Sequence, residues 1–312
     1  MTAPLRFDGR VAIVTGAGRG LGAAYARLLA ERGAAVVVND VGAALDGAGR
    51  DGRAADAVVA AIHAAGGSAV ADHGDVRADD EVAALVARAV ERFGRLDIII
   101  NNAGIVRAGR FPEEVTRELL QQHLDVHLLG SFAVTRAAWP HLRASGSGRV
   151  VLTASSAIFG DANVVAYSAA KSAMVGLTRS LAQAGAGDGI VVNAVAPSAQ
   201  TRMAGAADPS AGPPGAEAGG AASVRGRAPE QAAAVVAYLA HAACTTSGGL
   251  YSAGGGTAAR IALAVGPGHA ERTLTPEAVA EHWAAIDAPP ADDVPPSMIA
   301  FVDAQRRHMS TI

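Results

Sequence analysis

Arg10-Val11-Ala12-Ile13-Val14-Thr15-Gly16-Ala17-Gly18-Arg19-Gly20-Leu21-Gly22 (RVAIVTGAGRGLG) decides the fold of this 312-residue chain. Its first six residues make a short apolar run that ends at glycine, the pattern of a strand buried on both faces. Leu21–Arg32 then has helical spacing and stops at Gly33. Between them, glycines at 16, 20 and 22 give a G-x-x-x-G-x-G turn. Gly16 allows a tight turn, Gly20 lets backbone approach a pyrophosphate, and Gly22 lets the helix pack closely on the strand. The helix N-terminus offers free N–H groups and partial positive charge to phosphates. A glycine-rich turn alone is a weak signal, but the strand–turn–helix context is the one dinucleotide binding requires. Gly18, Arg19 and Leu21 share the turn and join Gly16, Gly20 and Gly22 as cofactor-binding candidates.

Working outward, β-branched runs alternate with Ala/Leu-rich helical stretches. Strands are predicted at 35–39, 68–71, 96–101, 149–153 and 190–194, and helices at 51–65, 79–93, 112–144 (one long or two joined) and 165–184. Continuous apolar strands separated by helices imply a parallel sheet covered on both faces. Right-handed crossovers make it doubly wound. The predicted fold class is α/β: one Rossmann-type sheet with a C-terminal extension, the catalytic domain at 1–256 and the extension, not an independent domain, at 257–312. A helix at 229–242, a last strand at 249–253 and a helix at 276–286, capped by Thr275, complete it. The stretch 204–227 is rich in Gly, Ala and Pro and reads either as a mobile substrate loop or as an insertion without function.

Composition narrows the function. Half the residues are hydrophobic and 18% charged, with net charge −3. That excludes wholesale disorder and argues against nucleic-acid or membrane-surface binding, which need a basic patch. No run of about 20 apolar residues predicts a membrane span. Cys244 is the only cysteine and cannot form an internal disulfide, and Met1–Phe7 lacks a signal-peptide pattern, so a cytoplasmic location is expected.

Two features carry chemistry. The second strand ends Val38-Asn39-Asp40. A carboxylate there accepts both hydroxyls of an adenine ribose and repels a 2′-phosphate, which favours NAD over NADP. Arg19 pulls the other way, since a guanidinium could meet that phosphate. Further on, Tyr167 and Lys171 lie four apart on a helix and share one face. A free phenol has a pKa of about 10. A neighbouring ammonium favours phenolate and lowers that value, so the phenol can exchange a proton with a substrate hydroxyl during hydride transfer. Lys171 is the only lysine among 26 basic residues, which marks its position as one where arginine does not serve.

With these residues the chain resembles the short-chain dehydrogenases/reductases. The resemblance rests on Thr15–Gly22, Asn101-Asn102-Ala103-Gly104, Tyr167/Lys171 and Asn193-Ala194-Val195-Ala196-Pro197. It implies that Asp75 and Val76 contact the adenine, that Asn101, Asn102, Ala103 and Gly104 border the cofactor, and that Pro197 to Thr201 approach its carboxamide. Further stretches (37–56, 134–141, 196–203, 248–255 and 274–286) are similar to the (3R)-hydroxyacyl-CoA dehydrogenase part of peroxisomal multifunctional enzymes. No hydratase or sterol-carrier module accompanies them, and no peroxisomal tripeptide ends the chain. The resemblance also implies a homodimer or homotetramer formed through the helices at 112–144 and 165–184.

Three positions depart from the family pattern. Thirteen residues before Tyr167, where the substrate-binding serine is expected, stands Ala154. Counting from the strand instead puts that serine at Ser155, with Ser156 in reserve, because a packed strand holds register better than a loop. His127 replaces the family's relay asparagine; imidazole also relays protons, and a structural histidine at a helix bend is the other reading. Ser198 replaces a common glycine. His63, His123 and His141 show no ligand spacing, so no metal site is expected. The leading function is NAD-dependent interconversion of a secondary alcohol and a ketone, with a 3-hydroxyacyl thioester as implied substrate. Steroid or cyclic-alcohol oxidation, a catalytically weak NAD-binding module, and a methyltransferase are the alternatives; the last leaves Tyr167/Lys171 unexplained.

Overall fold

The computed structural model describes residues 4–199 and 228–289. Eight strands form one sheet in the order β3-β2-β1-β4-β5-β6-β7-β8. They are β1 (Val11–Thr15), β2 (Ala35–Asn39), β3 (Ser68–Asp72), β4 (Ile98–Asn101), β5 (Arg149–Thr153), β6 (Val191–Pro197), β7 (Leu250–Gly254) and β8 (Thr257–Ile261). The pairings from β3 through β7 are parallel. The expected doubly wound α/β sheet is therefore present. Strand order reverses between β1 and β4, and a crevice opens there at the carboxyl ends of the strands, where such sheets bind ligands.

Helices α1 (Gly20–Glu31), α2 (Arg53–Ala64) and α7 (Pro229–Ala240) pack together, as do α3 (Asp79–Phe93), α4 (Arg117–Leu124), α5 (Gly130–Ala144) and α6 (Val165–Gly185). Each has an apolar stripe to bury; α3 turns Val82, Leu85, Val86 and Ala89 inward and stops at left-handed Gly94. Strand residues such as Ile13, Val37, Ile99, Ile100 and Val151 are wholly buried, which explains why these strands read as unbroken apolar runs. The stretch 112–144 is two helices joined by one π-helical turn, Asp125–Leu129, closed by Gly130 N–H bonding to Asp125 O.

Strand β8 is not predicted by the sequence. It follows β7 across Gly255-Gly256, both at positive φ, and a two-residue link joins only antiparallel strands. Four of its five residues are exposed, so no apolar alternation marks it. Helices α8 (Pro276–Glu281) and α9 (Trp283–Ile286) replace the single predicted helix, with Thr275 Oγ1 accepting from Ala278 N–H at 3.1 Å as its cap. By internal contacts the chain divides into a unit to Arg260 and a second from Ile261 onward. Thr201 and the stretch 204–227 lie outside the described residues.

Candidate active site

A cleft of about 380 Å³ occupies the crevice, lined by the glycine turn, Asp40, Asp75, Val76, Asn102 and Gly104 among others. Why the turn is glycine is a matter of space. A Cβ on Gly22 would stand 2.3 Å from Gly16 O, one on Gly16 2.7 Å from Ala103 Cα, and one on Gly18 2.8 Å from Asp40 Oδ2. Gly16 and Gly20 also adopt φ of +61° and +52°. The turn is locked to β4: Thr15 Oγ1 accepts from Asn102 N–H and Ala103 N–H at 3.0 and 3.1 Å, and Asn102 Nδ2 donates to Thr15 O and Gly16 O at 3.0 Å. Asn102 thus spends its amide on the turn rather than presenting it to a ligand. Thr15, to which the sequence pattern gives no part of its own, is the bolt. Asn101 likewise turns inward, its Nδ2 donating to Thr135 Oγ1 at 2.9 Å.

Asp40 stands in the cleft at the end of β2. Its Oδ2 accepts from Gly18 N–H and its Oδ1 from Gly42 N–H, both at 2.7 Å. Each oxygen keeps a further lone pair. Asp75 is gripped by the Arg77 guanidinium, with Nη2 to Oδ2 at 2.6 Å, and Arg50 stands 3.9 Å away. Burial pushes the Asp75 carboxyl up, and the Arg77 bonds outweigh that and hold it below its ordinary value. Arg77, Ile105 and the loop residues Ala43, Ala44 and Leu45 also border the cleft. None carries a motif by which sequence reading finds it.

The catalytic candidates gather where β5 meets α6. Tyr167 and Lys171 sit on α6, and Lys171 Nζ lies 5.7 Å from the Tyr167 ring centre. Lys171 is buried and donates to Thr153 O at 2.7 Å. Burial lowers its pKa to about 7. The Tyr167 phenol is pushed above its ordinary value by burial, and a hydrogen bond with Ser155 offsets part of this. The expected lowering by Lys171 is not what the geometry gives: desolvation disfavours both charged forms and outweighs an ammonium at this distance. Ser155 Oγ accepts from Ala157 N–H at 3.1 Å. Ala154 is buried and Ser156 exposed, so of the three neighbours it is Ser155 that meets Tyr167.

His127 lies in the π-helical turn, buried, its ring 5.3 Å from that of Tyr167 at a steep angle. Its Nε2 is 2.9 Å from Ile105 O, while Nδ1 is buried without a partner. Burial, then the nearby Lys171 charge, hold its pKa well below the ordinary value, so the ring is neutral. A Cβ on Gly104 would stand 2.5 Å from His127 Cε1, so Gly104 makes room for the imidazole as well as bordering the cleft. His123, one turn earlier, stacks on His127 and meets Tyr167 edge-on at 6.3 Å. Pro197 ends β6, paired with Ala253. No helix among the described residues is long and apolar enough to cross a membrane.

The residues present fit a nicotinamide dinucleotide: the glycine cradle excludes side chains where a pyrophosphate would lie, and Gly104 and Ile105, which line the cleft, meet His127, whose ring is 5.3 Å from that of Tyr167. Ser155, Tyr167 and Lys171 do not themselves line the cleft. Comparison with known proteins agrees. The family profile for short chain dehydrogenases matches residues 10–210. Peroxisomal multifunctional enzyme type 2 of Mus musculus is 41% identical over 291 residues, covering 92% of this chain and 38% of that protein. The chain thus spans about two-fifths of that relative's length. A short chain dehydrogenase from Mycobacterium avium superposes with TM-score 0.75 at 37% identity, covering 91% of this chain and 97% of the other. A 7α-hydroxysteroid dehydrogenase complexed with NADH and 7-oxo glycochenodeoxycholic acid superposes with TM-score 0.68 at 28% identity, covering 80% and 95%. The chain belongs to the short-chain dehydrogenase family, oxidoreductases that act on secondary alcohols with a nicotinamide cofactor.

Proposed function

We propose that this protein is an NAD-dependent dehydrogenase of a 3-hydroxyacyl thioester or a similarly hydrophobic secondary alcohol. The observation that carries the catalytic part is the Ser155–Tyr167 hydrogen bond with Lys171 behind it. Ser155 receives Ala157 N–H on its oxygen, and its own O–H, shared with Tyr167, can turn to donate to a substrate oxygen. Tyr167 remains protonated at neutral pH and is the proton donor when a ketone is reduced; in the reverse direction it receives the proton. Lys171 uses one N–H on Thr153 O and has two more for ribose hydroxyls. The neutral His127, with Nδ1 unpartnered, offers an acceptor beside Tyr167 through which a proton can be relayed. A bound nicotinamide supplies the hydride acceptor or donor.

Asp40 supports NAD over NADP. Arg19, the guanidinium that pulls the other way, also lines the cleft, while Arg77 is already bound to Asp75. The thioester rests on similarity to the multifunctional enzymes, which the chain matches over most of its own length. A homodimer or homotetramer through α4–α5 and α6 belongs to the same reading; Leu129 and Phe132 are exposed at the start of α5.

The test is Tyr167→Phe. It is expected to lose turnover by at least about 10³-fold while NADH binding, followed by fluorescence, is retained. Full activity in this variant would remove Tyr167 from the reaction.

A further inference from the structure

Thirteen residues apart, in the unit that begins at Ile261, two histidines come face to face. The rings of His269 and His282 lie 3.8 Å centre to centre, 19° from parallel. Glu271 stands beside them, its Oε2 3.6 Å from His269 Nε2. One ligand atom from each of the three residues lies within 4.8 Å of the others. All three side chains are partly shielded from solvent, and His269 Nε2 is fully buried with no hydrogen-bond partner. A buried ring nitrogen left without a partner is costly, so it calls for an occupant.

From this geometry we propose a binding site for a divalent transition-metal ion of the zinc type, held by His269, Glu271 and His282. At 3.6 Å the His269–Glu271 approach is too long for a hydrogen bond. It is close to the spacing a metal imposes: ligands about 2.1 Å from a tetrahedral ion lie about 3.4 Å from one another. Two imidazoles and one carboxylate are a borderline donor set that selects zinc or its neighbours over calcium and magnesium, and three protein ligands leave a fourth position for water. The backbone is braced for the site. Gly266 runs so close to Ala288 O that a Cβ there would stand 2.6 Å away, so the segment bearing His269 and Glu271 is pressed against the end of the helical stretch bearing His282. An ion shared by two imidazoles needs lone pairs that converge, which stacked rings do not supply; binding therefore turns one ring about its χ2 and opens the stack. The ion would cross-link 269–271 to the junction of α8 and α9. None of the three residues lines the dinucleotide cleft, and the site does not depend on the proposed reaction.

The test is calorimetric titration of the chelator-treated 312-residue protein with Zn²⁺ at pH 7.5. The expected result is about one equivalent bound saturably, weakened at least about 100-fold in His269→Gln/His282→Gln and about 10-fold in Glu271→Gln. His63→Gln/His73→Gln controls for surface histidines and should leave binding unchanged. Circular dichroism and the melting temperature of each metal-free variant show whether it is folded; Glu271→Gln, which keeps side-chain volume, serves if the double variant is not. Co²⁺ in place of Zn²⁺ should give the visible absorption of a four- or five-coordinate site. No saturable binding, or equal affinity in the folded variants, overturns the proposal.

Discussion

Lys171 is an ammonium where the fold resists one. It is buried, with Thr153 O at 2.7 Å. Its pKa is lowered to about 7, against about 10.5 in the unfolded chain, so between those values the unfolded state holds a proton the folded state lacks. Stability from this group therefore rises with pH across that window, and the cost is full below pH 7. Lys171→Met should raise the melting temperature of the cofactor-free protein, by more at pH 6 than at pH 9, while abolishing turnover. Differential scanning calorimetry at the two pH values and a dehydrogenase assay check this pairing. Stability given up at one residue is a mark of function. That is why Tyr167 and Lys171 were legible from spacing and from the rarity of lysine. Ser155 was legible because strand register fixes it. The partnership of Gly104 with His127 was not, because it is made across 23 residues by the absence of a side chain.

The glycine turn works as one element. Gly22→Ala would push a methyl to 2.3 Å from Gly16 O and 2.5 Å from Asn102 Nδ2, both parts of the bolt between β1 and β4. We expect NADH affinity to fall at least about tenfold, with a lower melting temperature, read by fluorescence titration and thermal unfolding. Asp40→Ser removes a carboxylate from the end of β2 together with its bonds to Gly18 and Gly42. It should lower kcat/KM for NAD about 10- to 100-fold and raise the NADP/NAD ratio; steady-state kinetics with both cofactors decide. Most elements were legible because their apolar periods are strong: α3 and β5 lie where the pattern puts them. β6 runs on to Pro197, three residues past its predicted end, because β7 pairs with it there, which no local pattern reveals. β8 was missed because hairpin pairing rather than burial holds it.

Across the whole sheet, Asp97 ties three strand ends together. Its carboxylate takes Arg10 at 2.8 Å, Arg95 at 2.6 Å and Val11 N–H at 3.0 Å, while Arg10 also reaches Ser147 just before β5. Burial pushes the carboxyl up, but these bonds outweigh it and hold it below its ordinary value. Its contribution is thus present above about pH 4 and lost as pH falls through the lowered value. Asp97→Asn should cost about 2–3 kcal/mol at pH 7 and less below pH 4, measured by urea unfolding. The doubly wound sheet was legible from strand–helix alternation and crossover handedness, whereas this clamp, spread over Arg10, Arg95 and Asp97, has no sequence pattern. The wide turn at Asp125–Leu129 has a bearing of another kind. An i→i+5 turn takes in one residue more than an i→i+4 turn for a single revolution, so losing one codon there would be absorbed as the backbone closes to ordinary winding, and α4 and α5 would keep their facing. A codon lost within α4 or α5 has no such slack and would rotate one half of the helix by about 100° and 1.5 Å against the other. Descendants of this gene can therefore change length at the turn more cheaply than anywhere else in the two helices.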